Sequence, residues 1–268
     1  MPSPFTDDDL SLFAKRGATL PAANTSGQVS TDGADIWYAR FGAGPAVTLL
    51  HGGLGHSGNW AHQVPLLTRA GYEVITIDSR GHGRSSRDEQ PYSYHLMAHD
   101  VRAVMDALEL DTAAFIGWSD GACTALTFAS LWPERVRGVF FFACNMDPSG
   151  TLDTEPSGKA LENCFSRHVA DYKALSPTPD GFEDLLAAVS LMMKTEPNFT
   201  ADDLRAITVP VTVAQARDDE FIRPEHADYL AATIPHSRQV WLEGVTHFAP
   251  LQRPTYFGEA LTAFLGGL

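Results

Sequence analysis

Residues 113–131 read AAFIGWSDGACTALTFASL, and the fold turns on how that stretch is parsed. Ala113 to Ile116 is a short apolar run, Ala122 to Leu131 is a largely apolar helical run, and Gly117-Trp118-Ser119-Asp120-Gly121 lies between them. A strand followed at once by a helix leaves no room for a loop, so the turn must be sharp. Two glycines permit it and push one serine hydroxyl clear of the backbone. The helix that follows aims its N-terminal amides at the same point, where they can stabilise a developing negative charge. A Gly-rich turn with a merely solvated serine is the competing reading of the five residues alone; the strand before and the helix after favour a nucleophile.

Working outward, the same alternation recurs. Strands are predicted at Ala34 to Phe41, Ala46 to Leu50, Tyr72 to Ile77, Val136 to Ala143, Val209 to Ala214 and Arg238 to Leu242. Helices are predicted at Trp60 to Ala70, Tyr94 to Leu108, Glu225 to Ala232 and Thr255 to Leu265. Residues 21–33, rich in small and polar types, read as a connector into the first strands. Thr6 to Arg16 reads as a leading helix, capped by Thr6, with Asp7 to Asp9 at its positive end and Gly17 as its stop. Between 147 and about 205 the rhythm breaks at Pro148, Gly150, Pro156, Gly158, Pro177 and Pro179, around helical stretches at Leu161 to Ala170 and Gly181 to Met193. Strands alternating with helices imply an α/β fold: a mostly parallel twisted sheet with helices on both faces. In such sheets the chemistry lies at the C-terminal strand ends.

Two more strand ends carry groups that a serine needs. His247 follows the strand Arg238 to Leu242, and Asp219, in Arg217-Asp218-Asp219-Glu220-Phe221, follows the strand Val209 to Ala214. A serine hydroxyl requires a base, and the base requires a third group to fix its tautomer. Ser119, Asp219 and His247 stand in the chain order expected of that arrangement. Asp218, one residue away, and Asp147, after the strand Val136 to Ala143, are the other acids that can reach the histidine. His51-Gly52-Gly53-Leu54-Gly55 closes a further strand, where small residues let an amide approach a substrate oxygen. Gly53, with Leu54 as its alternative, and Asp120 are the expected oxyanion donors; Leu54, Trp118 and Phe248 are expected to touch substrate. His51 reads as a structural histidine rather than a second base.

The bulk properties narrow the partners. Nineteen Lys and Arg against 33 Asp and Glu give a formal net charge of −14, which disfavours nucleic acid and anionic membranes. No stretch approaches the ~18 uninterrupted apolar residues of a membrane span, and no export signal is visible at the N-terminus. Cys123, Cys144 and Cys164 show no metal-ligand or C-x-x-C spacing and read as ordinary thiols of a reducing, cytoplasmic setting. The ten histidines contain no H-E-x-x-H, and the glycines form no phosphate-binding loop, so neither metal nor nucleotide cofactor is expected.

With HGG at 51–53, DSRGHGRS at 78–85, GWSDG at 117–121, RDDEF at 217–221 and GVTHF at 244–248, the chain resembles the α/β-hydrolase-fold superfamily from about residue 27 to 268. The resemblance implies a core at 27–146 and 206–268, interrupted at 147–205 by a small helical cap, with 1–26 as a preceding helix and connector. It gives Asp78, Arg80 and Gly81 a structural role. GWSDG is also similar to the elbow of the biphenyl-hydrolase-like (valacyclovirase) group, which implies an amino-acid ester substrate whose ammonium group would pair with Asp120. The chain departs from that group by Ala122 where a third glycine is expected, and the Asp120 carboxylate can equally cap the helix or bond locally. The expected activity is therefore a cofactor-free serine hydrolase cleaving a small, mostly apolar ester or lactone. Carbon–carbon cleavage of a diketone, amino-acid ester hydrolysis, aminopeptidase action and a ligand-binding receptor on the same fold are the alternatives. An aspartate at position 119 would have pointed to epoxide or haloalkane chemistry; serine stands there.

Overall fold

A computed structural model describes residues 10–153 and 157–268. Asp32 and Gly33 both have positive φ, 42° and 85°, the geometry of a tight hairpin turn. They fold Thr25–Thr31 (β1) antiparallel onto Ala34–Gly42 (β2). Part of the expected connector is therefore an edge strand; the Asp-Gly pair was its signal, masked by the polar, half-exposed residues on either side. Next come Ala46–Leu50 (β3), Glu73–Ile77 (β4), Ala113–Trp118 (β5), Val136–Phe142 (β6), Val211–Ala216 (β7) and Ser237–Leu242 (β8). The spatial order is β1-β2-β4-β3-β5-β6-β7-β8. β2 runs antiparallel to β4, and every pairing from β4 to β8 is parallel.

Every residue of β3, β5 and β7 is buried, as expected of strands covered on both faces. Along β6 the side chains alternate between two cores: Val139 and Phe141 join one, Phe140 and Phe142 the other.

The helices are Leu10–Arg16 (α1), Gln63–Arg69 (α2), Tyr94–Ala107 (α3), Asp120–Leu131 (α4), Lys159–Leu175 (α5), Phe182–Thr195 (α6), Ala201–Arg205 (α7), Pro224–Thr233 (α8), Ala249–Gln252 (α9) and Pro254–Leu265 (α10). The helix expected from Trp60 to Ala70 is split. Ser57–Trp60 forms a 3₁₀ turn, and α2 starts later with Pro65 in its first turn, where a missing N–H loses no intrahelical bond. α1 stops at Gly17, whose φ is +64° and whose amide donates to the Phe13 carbonyl at 2.7 Å. The expected Thr6 cap and Asp7 to Asp9 lie outside the described residues. Leu10 and Phe13 pack with Cys164 of α5 in one apolar cluster, so α1 docks on its own chain.

The segment 78–85 is a polar anchor. Arg80 is fully buried and grips Asp100 of α3 through Nε at 3.0 Å and Nη2 at 2.6 Å, while Nη1 donates to the Asp32 carbonyl at 2.8 Å. The Asp78 carboxylate accepts from the amides of Ser57 at 2.7 Å and Arg84 at 2.8 Å. Removing one member of a buried ion pair strands the other charge at a cost of about 3–5 kcal/mol. Asp100→Ala should lower unfolding stability by about 3 kcal/mol or more in urea titration; a loss below about 1 kcal/mol would mean that Asp88, 3.2 Å from Nη1, and the hairpin carbonyls suffice for Arg80.

Candidate active site

At the junction of β5 and α4, Ser119 has φ 54° and ψ −125°, a conformation that costs a non-glycine residue roughly 1–3 kcal/mol and clusters at functional sites. Packing enforces it. A Cβ at Gly121 would lie 2.1 Å from the Leu50 carbonyl oxygen, and one at Gly117 would lie 2.4 Å from the Gly121 oxygen. Only glycine permits α4 to approach the ends of β3 and β5 so closely. Ser119 is pinned through its backbone, its amide donating to the Phe142 carbonyl at 2.9 Å, while its hydroxyl has no hydrogen-bond partner among the described residues.

β7 runs to Ala216 and β8 to Leu242, which carries the following loops to the same end of the sheet as Ser119. There His247 Nδ1 faces Asp219, at 3.0 Å from Oδ2 and 3.2 Å from Oδ1. Asp219 Oδ1 also accepts from the amides of Phe221 and Ile222 at 2.9 and 3.0 Å, so the carboxylate is locked by its own loop. Glu220 accepts from the His247 amide at 3.0 Å. The other two acids point elsewhere: Asp218 is exposed, and Asp147 bonds Ser149 and sits 3.9 Å from His226. Burial alone would lower the His247 pKa, but Asp219, its hydrogen bond, and then Glu220 and Asp120 outweigh it and hold the imidazole above its ordinary value.

Ser119 and His247 line one cavity of about 500 Å³, together with Gly53, Leu54, Trp118, Asp120 and Phe248. Among the described residues no hydrogen bond joins the Ser119 hydroxyl to His247 Nε2; catalytic contacts of this kind commonly tighten only with substrate. The amides of Gly53 and Asp120 have no acceptor among the described residues. Gly53 is also tightly placed: a Cβ there would meet Asp120 Oδ2 at 2.5 Å and Met193 Cε at 2.6 Å. Trp118 stacks edge-on with Trp60 and Phe248 at centroid distances of 6.2 and 6.0 Å. His51 is held through both ring nitrogens, by the Gly52 carbonyl at 2.7 Å and the Ser79 amide at 3.0 Å. Burial pushes its pKa down to about 4, which suits a neutral structural histidine.

Tyr94, anticipated only as a helix start, gives the Asp120 carboxylate its one hydrogen-bond partner among the described residues: its hydroxyl donates to Oδ1 at 2.8 Å. Asp120 Oδ2 is buried without a partner, and burial, offset in part by Tyr94 and His247, pushes the Asp120 pKa up to about 6. Phe221 packs on His247 at a centroid distance of 4.6 Å; its place directly after the acidic triplet was the available signal. α5 and α6 supply a wall of Leu161, Phe165, Leu186, Val189 and Met193. Of the apolar side chains of the insert, Phe182, Leu185 and Met192 are buried, whereas Leu186 is half-buried at the cavity and Met193 is 41% exposed and faces it. Among the described residues no three His, Cys, Asp or Glu side chains are grouped to hold a metal.

A family model described as the alpha/beta hydrolase fold matches residues 45–202. Epoxide hydrolase B of Mycobacterium tuberculosis is 44% identical over 98 residues, 36% of this chain, and the chain spans only 28% of that relative's length. The serine hydrolase BPHL of Mus musculus is 25% identical over 265 residues, covering 92% of this chain and 89% of that protein. Among solved structures, an N-acyl homoserine lactone degrading enzyme aligns with a TM-score of 0.73 at 26% identity, over 89% of this chain and 100% of its own. The family model spans more than half of the chain and agrees with the strand order and elbow described above: the chain belongs to the α/β hydrolase fold family.

Proposed function

We propose that this protein is a cofactor-free serine hydrolase that cleaves a small, mostly apolar carboxylic ester or lactone, and that residues 147–205 form its cap. The observation that carries the reading is the strained Ser119 at the strand–helix junction, sharing a cavity with a histidine whose far nitrogen is held by Asp219. The likeness to an N-acyl homoserine lactone degrading enzyme supports the lactone arm. Three buried free thiols fit a reducing, cytoplasmic setting.

In this mechanism Ser119 Oγ attacks the carbonyl carbon as its proton passes to His247 Nε2. Asp219 holds the Nδ1–H and stabilises the resulting imidazolium. The amides of Gly53 and Asp120 donate to the oxyanion, each such donor contributing roughly 2.7–4 kcal/mol to the transition state. The alkoxide leaves with the proton from Nε2. Water, deprotonated in turn by His247, then attacks the acyl-enzyme and releases the acid.

Ser119→Ala, with its fold verified by circular dichroism, should lower kcat on p-nitrophenyl butyrate by roughly 10⁶-fold; retention of most of the turnover would refute the nucleophile. Because the base must be neutral, kcat/KM should rise with pH through an apparent pKa above the ordinary histidine value of 6.5. Asp219→Asn removes the charge that favours the imidazolium, so the inflection should move to lower pH while kcat falls by about 10⁴. A wild-type profile that is flat across the histidine range would contradict His247 as base.

One observation favours a second reading. Asp120 Oδ2, buried, unpartnered and beside Gly53, is suited to a substrate ammonium group. An amino-acid ester such as valine p-nitrophenyl ester should then be preferred at least about tenfold over its deaminated analogue, with the preference lost in Asp120→Asn, since a charge-assisted hydrogen bond is worth about 1.5–3 kcal/mol. Equal rates on the two esters would reject it.

A further inference from the structure

The cavity holds polar groups that this mechanism leaves unused. Asn59, in the 3₁₀ turn Ser57–Trp60, is completely buried and lines the cavity. Its orientation is fixed: Oδ1 accepts from the His56 amide at 3.0 Å, closing a reciprocal cap in which His56 Nδ1 accepts from the Gly58 amide. The carboxamide NH₂ is therefore the end left over, and Nδ2 has no acceptor among the described residues. On α5, His168 is 7% exposed, lines the same cavity, and carries an Nδ1 without a partner among the described residues.

The turn that carries Asn59 and the helix that carries His168 are tied together at one seam. His56, whose amide orients Asn59, reaches across to α5 and places Nε2 3.2 Å from Asp171 Oδ2. Asp171 follows His168 by three residues on the same helix, so both project from one face. Asp171 is also bonded by Arg167, which commits that guanidinium to the carboxylate. Burial, reinforced by His56, pushes the His168 pKa down to about 3, so the imidazole is neutral at ordinary pH.

The charge of the cavity selects among possible occupants. No lysine or arginine lines it, and Asp120 does; a substrate carboxylate would find no cation and one anion. A purely apolar substituent would leave two buried polar groups unsatisfied, which is costly. A neutral acceptor oxygen satisfies Asn59 Nδ2 outright, and also His168 in the tautomer with hydrogen on Nδ1. The scissile carbonyl does not need these donors, because the backbone amides of Gly53 and Asp120 serve it.

We propose that Asn59 and His168 form a polar subsite for a second, uncharged carbonyl oxygen of the substrate, a ketone or an amide, in addition to the carbonyl attacked by Ser119. This deepens the serine-hydrolase reading and rests on it for the bond that is cleaved. Binding, which needs no turnover, tests it. In the Ser119→Ala protein, calorimetric titration compares methyl hexanoate with methyl 4-oxohexanoate and methyl 5-oxohexanoate. At least one keto ester should bind tenfold or more tightly than the plain ester. That preference should fall to threefold or less when Asn59→Asp is added, which keeps the acceptor for the His56 amide but removes the donor. It should fall likewise with His168→Phe, which keeps a ring of similar volume. Equal affinity for plain and keto esters before the second substitution would overturn the subsite. So would a preference that survives both substitutions, or a loss of affinity that is the same for all three esters. Wild-type esterase activity is scored separately: an inactive wild type whose Ser119→Ala form keeps the preference would overturn the hydrolase reading while supporting the subsite.

Discussion

Gly121 lies so close to the end of β3 that the Leu50 carbonyl occupies the place where a Cβ would project. The remainder of the site depends on that approach. It brings the N-terminus of α4 against the loop 51–54, so that the amides of Gly53 and Asp120 lie at one end of one cavity. It also forces the chain through a turn that only a positive φ at Ser119 can make. The strain is sustained because β5 is paired on both sides, by β3 and β6, and buried throughout. A turn held this rigidly keeps a nucleophile in place without requiring its side chain to be tied, and the Ser119 hydroxyl is indeed untied.

The electrostatics follow from the same enclosure. In a buried setting, unscreened by water, Asp219 and Glu220 raise the basicity of His247 against the opposing effect of burial. The same burial lifts Asp120, which the Tyr94 hydroxyl and His247 offset only in part. Two aspartates of one site thus sit in different environments. Asp219 is bonded by two amides and an imidazole, whereas Asp120 keeps one oxygen without a partner. In the proposed mechanism that difference suits them to separate roles, one orienting the base and one open to substrate.

Much of this was legible in the sequence because backbone constraints leave residue-type signatures. The G-x-S-x-G turn, the apolar run Val139 to Phe142 of β6 and the chain order of Ser119, Asp219 and His247 are local features, readable without knowing what packs on what. Asp219 is favoured over Asp218 by such reasoning but not separated from it, since neighbouring residues at a loop apex differ only in direction; in the structure it is Asp219 that faces His247 Nδ1, while Asp218 is exposed. β1 was hidden because an edge strand with a polar, exposed face lacks apolar alternation. Tyr94, Asn59 and His168 lie 25, 60 and 49 positions from Ser119 and carry no motif. They reach the cavity through the packing of α3, the 57–60 turn and α5, which sequence periodicity does not report. The insert shows the same limit: its apolar positions announce burial, but whether a given methionine faces the core or the cavity is decided by tertiary contact.

If the enclosure of Ser119 and His247 makes an activated serine, that serine can be trapped covalently. The folded protein is incubated with an organophosphorus fluoride at neutral pH and analysed by intact mass and peptide mapping. One phosphoryl group per chain is expected, on the peptide bearing Ser119, and almost none in His247→Ala. An unlabelled folded protein, or label on another residue with Ser119 untouched, would contradict it.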